Sequence, residues 1–160
     1  MTPNAAVEAV LVAALKERGV REVGGNNRGP RVEEYLRRVH WTPGAPWCAA
    51  FVGWCGSEAL GKAWPLPLVP GTYTLLDFAH QHGWVRREPQ RGLVFLVWSS
   101  ARRSWHTGFI QSLVPGGWRT IEGNTGPDGG HDGDGVYEKV RTFTPKDTFI
   151  DWTLGLQEDA

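Results

Sequence analysis

The amino-acid sequence predicts an α+β domain, with N-terminal helices packed on a mostly antiparallel sheet. Two observations carry this. The first half repeats apolar residues at helical spacing, and the second half breaks into short runs rich in β-branched and aromatic residues, divided by Gly and Pro. Helices first and strands afterwards exclude the alternating pattern of a parallel sheet.

In chain order, Val7, Val10, Leu11, Ala14 and Leu15 recur on one helical face, and Gly19 stops the run. The Gly24–Gly29 stretch reads as a loop. Val32, Tyr35, Leu36 and Val39 form a second helix, with Pro30 just inside its start. Trp47 to Leu60 is apolar nearly all round and ends at Gly61, which predicts a buried central helix. A short helix is expected over Thr74–His82, stopped by Gly83. Strands are expected over Leu93–Trp98, Trp105–Leu113, Trp118–Glu122, Val136–Arg141 and Phe149–Leu156. No internal repeat, linker or low-complexity tract divides the chain, so residues 1–160 read as one domain, a normal size for a single core.

Composition narrows function by exclusion. Lys plus Arg and Asp plus Glu number 17 each, and the basic doublets are scattered, which argues against nucleic acid as a partner. Val7–Leu15 contains Glu8 and has neither a basic segment before it nor a clear cleavage site. It reads neither as a membrane span nor as a signal peptide. Nine tryptophans are expected to be mostly core and rim packing, with some aromatic surface left for a sugar or peptide.

The string Gly44-Ala45-Pro46-Trp47-Cys48-Ala49-Ala50-Phe51-Val52 brings a cysteine to the first turn of the buried helix. Unpaired N–H groups and the helix dipole favour an anion there, and a thiolate is one. Cys55 lies two helical turns further on, roughly 10 Å away at about 1.5 Å per residue, which is too far for a disulfide. It reads as core. Of five histidines, only His106 begins a strand, where an imidazole can be held against a helix-borne thiol as its base. A third group should fix the imidazole. Glu122 and Asn124 end the next strand and share a face by the two-residue period, Glu122 as the group that holds the ring and Asn124 as its helper. For Glu122 to lie beside His106, its cross-strand partner must be even-numbered, with Gly108 the natural choice. That requires either an odd loop or a bulge, because a bare two-residue Pro115-Gly116 turn would send Glu122 to the other face.

Pro46-Trp47-Cys48-Ala49-Ala50-Phe51-Val52, His106-Thr107-Gly108-Phe109-Ile110 and Ile121-Glu122-Gly123-Asn124, with Asn27–Leu36 upstream, resemble the CHAP family of cysteine-, histidine-dependent amidohydrolase/peptidases, especially those of phage lysins. The resemblance runs from roughly residue 20 to residue 142. It implies a papain-like fold and a monomeric peptidoglycan hydrolase, amidase or endopeptidase, with Cys48, His106, Glu122 and Asn124 at its site and no cofactor, metal or membrane insertion. It further implies synthesis in a host bacterial cytoplasm and action at the cell wall after release or delivery. The alternatives are a non-catalytic peptidoglycan- or glycan-binding module and a papain-like protease or deamidase acting on proteins. Two features depart from the family. Gly92-Leu93 stands where relatives carry Gly-Asp, and no wall-binding module accompanies the domain. His131-Asp132-Gly133-Asp134 has carboxylates that suit calcium but not the spacing of a calcium loop, and reads as a turn-rich surface loop.

Overall fold

The computed structural model describes residues 1–100, 103–126 and 133–156. Helices α1 (Pro3–Lys16), α2 (Pro30–Arg38), α3 (Cys48–Leu60) and α4 (Thr72–His82) precede six strands: β1 (Val85–Arg86), β2 (Val94–Ser99), β3 (Ser104–Val114), β4 (Gly117–Thr125), β5 (Gly135–Arg141) and β6 (Thr148–Ile150). The strands form one sheet in the order β1-β6-β2-β3-β4-β5, antiparallel throughout. The expected α+β class and helix-then-strand order are observed. Among the described residues, no helix is long and apolar enough to cross a membrane.

Local chemistry explains the helix ends. Pro3 and Pro30 open α1 and α2, where a missing N–H costs nothing. The Thr2 hydroxyl caps α1 by accepting from the Ala5 N–H at 3.2 Å. Gly83 closes α4 in the left-handed conformation, φ 71°. Helix α3, like α2 and α4, has no side-chain cap at its N-terminus. Its first nine residues, Cys48 to Gly56, are all buried.

One sheet face, carrying Val94, Leu96, Phe109, Ile121 and Ile150, packs with the four helices into the main core. Phe95, Ile110 and Phe149 lie on the other face, beneath a smaller apolar layer with Phe143 and Trp118. Helix α3 reaches the sheet closely at Gly123. A Cβ there would lie 2.7 Å from Phe51 Cβ and 2.8 Å from the Trp47 ring, so any larger residue would push the helix away.

One expectation needs correction, and one element had not been foreseen. The strand predicted over Phe149–Leu156 ends at Ile150, and Trp152–Gly155 forms a 3-10 turn. Tertiary contacts override strand propensity there: the Trp152 indole N–H donates to the Gly92 carbonyl at 2.8 Å and its ring packs on Trp64. The β1 strand, only two residues long, is too short for any periodicity to reveal.

Cys55 is fully buried in the middle of α3, and both cysteines are free thiols. Burial pushes its thiol well above the ordinary value, and the nearby charges of Glu17 and Glu58 push the same way. Cys55→Ala should therefore leave the chemistry of Cys48 intact and cost about 1–2 kcal/mol through a small cavity, measured by denaturant unfolding.

Candidate active site

The geometry begins with a register. Val114 pairs with Gly117 around a two-residue Pro115-Gly116 turn, which alone would place Glu122 on the wrong face. A β-bulge corrects this. Ile110 pairs with Thr120 and Ser112 with Arg119, leaving Gln111 as the extra residue. The Gln111 side chain donates to the Thr120 carbonyl at 2.9 Å and so satisfies an acceptor at the irregularity. Beyond the bulge Phe109 faces Ile121, so continuing the register sets Gly108 opposite Glu122. His106 pairs with Val97 on β2, and its ring lies 6.2 Å from that of Phe95. His106 and Glu122 thus belong to the face turned away from the main core. The β3–β4 pairs stop at Phe109 and Ile121, and near this end the uncapped start of α3 comes in. There the backbone N–H groups of Thr107 and of Ala49 in the first helical turn lie near the Cys48 sulfur and favour its thiolate.

The resulting chain is continuous. Cys48 lies against His106, and each draws the other toward its charged form. The His106 Nε2 meets Glu122 Oε1 at 2.8 Å, which leaves Nδ1 for the thiol. Glu122 is fully buried and His106 is 3% exposed. Glu122 also accepts from the Thr120 hydroxyl, from Arg141 Nε at 2.6 Å on Oε2 and from Arg141 Nη2 at 2.7 Å on Oε1.

Burial opposes every charge in this chain, yet the hydrogen bonds prevail. For Glu122 burial works against ionisation, but Arg141 and His106 hold the carboxyl far below the usual range. For His106 burial disfavours the cation, but Cys48 and Glu122 raise it to about 9. For Cys48 burial opposes the thiolate, while His106 and the Thr107 and Ala49 N–H groups pull the thiol below its ordinary value. All three directions favour a thiolate–imidazolium pair. Such a pair has an ionised nucleophile beside a proton donor, which is what amide cleavage needs.

Compared with known proteins, the chain matches no family model, no curated protein and no solved structure. The site therefore stands on its own geometry.

Cys48 opens on a cleft of about 290 Å³ lined by Trp41, Ala45, Pro46, Tyr73, Ser104 and Trp105 among others. Trp41 and Tyr73 are half-exposed, at 51% and 52%. Trp98 links Tyr73 to Trp105, its ring 6.4 Å from the first and 5.2 Å from the second. Trp47, Trp54, Trp64 and Trp152 are buried in the main core, so the tryptophans divide between packing and cleft surface.

Cys48, His106 and Glu122 come together. Asn124 does not continue the two-residue alternation from Glu122. The β4–β5 register shifts between Glu122 and Thr125, and Asn124 takes a left-handed φ of 54°. Among the described residues its Oδ1 is buried without a hydrogen-bond partner, and the His106 ring takes Glu122. The sequence reading missed Arg141. Its only signal was a basic residue sharing a strand face with Tyr137 and Lys139. The His131-Asp132 portion of the calcium question lies outside the described residues. Among the described residues, no group of three or more His, Cys, Asp or Glu comes close enough to hold a metal.

Proposed function

We propose that this protein is a papain-like thiol hydrolase that cuts an amide bond of peptidoglycan, as its resemblance to the CHAP family implies. The observation that carries the reading is the Cys48–His106–Glu122 arrangement: a thiol at a helix start, open to an aromatic cleft, beside an imidazole that a buried carboxylate holds at 2.8 Å. A module that only binds has no need of a buried carboxylate holding an imidazole on a thiol.

The Cys48 thiolate attacks the amide carbonyl, and the Cys48 N–H in the first helical turn, which has no intrahelical acceptor, helps hold the oxyanion. The His106 imidazolium gives its proton to the departing amine as the C–N bond breaks, leaving an acyl-thioester on Cys48. Neutral His106 then takes a proton from water, which attacks the thioester. The carboxylic acid leaves and the thiolate–imidazolium pair is restored. Glu122 keeps the imidazole in one orientation and stabilises its cation.

Digestion of purified sacculi followed by mass spectrometry of the fragments tests this. The expected result is new free amines from the stem peptide or its muramoyl junction, with no new reducing sugar ends. Intact sacculi, or fragments carrying new reducing ends, would reject the proposal. The cleft makes a separate prediction. Trp41 and Tyr73 offer flat apolar surface to sugar or peptide, worth about 1 kcal/mol per stacked ring. Trp41→Ala should raise KM roughly fivefold on that account, with kcat little changed, in turbidity assays on cell walls.

A further inference from the structure

We propose that Arg141 is a positioning residue of this site: by gripping both oxygens of Glu122 it keeps that carboxylate ionised and aimed, and so maintains the ion-paired form of His106 and Cys48. Each Glu122 oxygen accepts two donors. Oε1 takes His106 Nε2 and Arg141 Nη2, and Oε2 takes Thr120 Oγ1 and Arg141 Nε. A carboxylate has about four lone-pair sites, so its capacity is filled and its orientation fixed. Two of the four donors belong to one planar fork, which a lysine does not reproduce. The guanidinium is itself held in place, 5.6 Å over the Phe95 ring, with the side chain only 18% exposed.

Charge balance gives the residue its effect. Thiolate, imidazolium, carboxylate and guanidinium cancel, so the buried group is neutral as a whole. Without Arg141 it carries one uncompensated negative charge in a setting that penalises charge, and a proton returns to the thiol. Among the described residues no other group is placed to substitute. On β5, Tyr137 lies across from Glu122, but its hydroxyl donates to Asp134 and Arg21 lies over its ring. Lys139 donates to Thr125 Oγ1 and the Gly126 carbonyl. On β2, Phe95 and Val97 are neutral, and α3 contributes only Cys48 itself.

The role in turnover rests on the hydrolase reading, but the test needs no substrate. The Cys48 thiolate is titrated by ultraviolet absorbance and by its rate of alkylation. Arg141→Gln should move the acid limb up by about one pH unit, the lower end of what a close opposite charge contributes. Arg141→Lys should move it in the same direction by less. A purely structural Arg141 would lower the melting temperature of both variants and leave the titration where it was. A folded Arg141→Gln protein whose Cys48 titrates as in the wild type overturns the proposal. Should the variants fail to fold, the carboxyl-carbon resonance of Glu122 in the unmodified protein decides. It is expected to stay in its ionised position through the whole ordinary carboxylate range, and a normal titration there overturns the proposal. Cell walls left uncut beside a shifted titration would reject the hydrolase and leave Arg141's role standing; cut walls beside an unmoved titration would do the reverse.

Discussion

Cys48→Ser should lower wall-hydrolysing turnover by roughly four orders of magnitude while leaving the fold intact. The hydroxyl is close in size to the thiol, so packing at the start of α3 is preserved. It is a far weaker acid, however, and the neighbours that favour a thiolate at Cys48 cannot ionise it. The two cysteines should also separate by alkylation. Iodoacetamide near neutral pH should label Cys48, which borders the cleft, before the fully buried Cys55, and labelling should track loss of activity. Equal reactivity of the two thiols, or full activity in Cys48→Ser, would remove Cys48 from the role. The same ion pair sets a pH profile. The ratio kcat/KM should rise on the acid side as the Cys48 thiol loses its proton below the ordinary thiol value. It should fall on the alkaline side as the imidazolium is lost near about 9.

Glu122→Ala should cost turnover and stability together. Losing the group that orients the imidazole should reduce kcat by roughly 10³–10⁴-fold. It also leaves Arg141, 18% exposed, facing an empty site, so unfolding should become easier by about 3 kcal/mol, the low end for opening a buried ion pair. Glu122→Gln should be milder in both respects, because the amide oxygen still accepts from the ring. The sign with pH follows from the direction of each shift. Glu122 is lowered, so its contribution to stability is complete above the ordinary carboxylate value of 4.5 and fades as the pH falls below it. His106 is raised, so its contribution is complete below 6.5 and fades as the pH climbs toward about 9. Stability of Glu122→Ala parallel to the wild type across acid pH would contradict this account.

The helices were legible because each announces itself locally. Pro30, Gly61 and Gly83 mark ends by backbone conformation alone, and the apolar run from Cys48 to Gly56 can only be buried. The position of Cys48 at a helix start followed from the same signals. The strand-borne His106 and the downstream Glu122 could be named, because their residue types and order limit the chemistry they can perform.

Which face each of these side chains takes was not legible, because it depends on a single residue of register. The Pro115-Gly116 turn argues for the wrong face, and only the extra residue at Gln111 reverses it; that bulge is held by a hydrogen bond to a carbonyl on the neighbouring strand. Asn124 shows the opposite outcome, where an irregularity breaks an alternation that the sequence invited. Arg141 was invisible for a similar reason. Its approach to Glu122 depends on the β4–β5 pairing across a long glycine-rich connection, and neither length nor composition sets that register. The sequence by itself determined the α+β class, the helix-start thiol and the candidate base and carboxylate, all of which rest on local periodicity and residue chemistry. Only the tertiary structure decided that the carboxylate is buried, ionised and gripped by Arg141, because charge in a protein interior is settled by the partners that long-range pairing brings within hydrogen-bond reach.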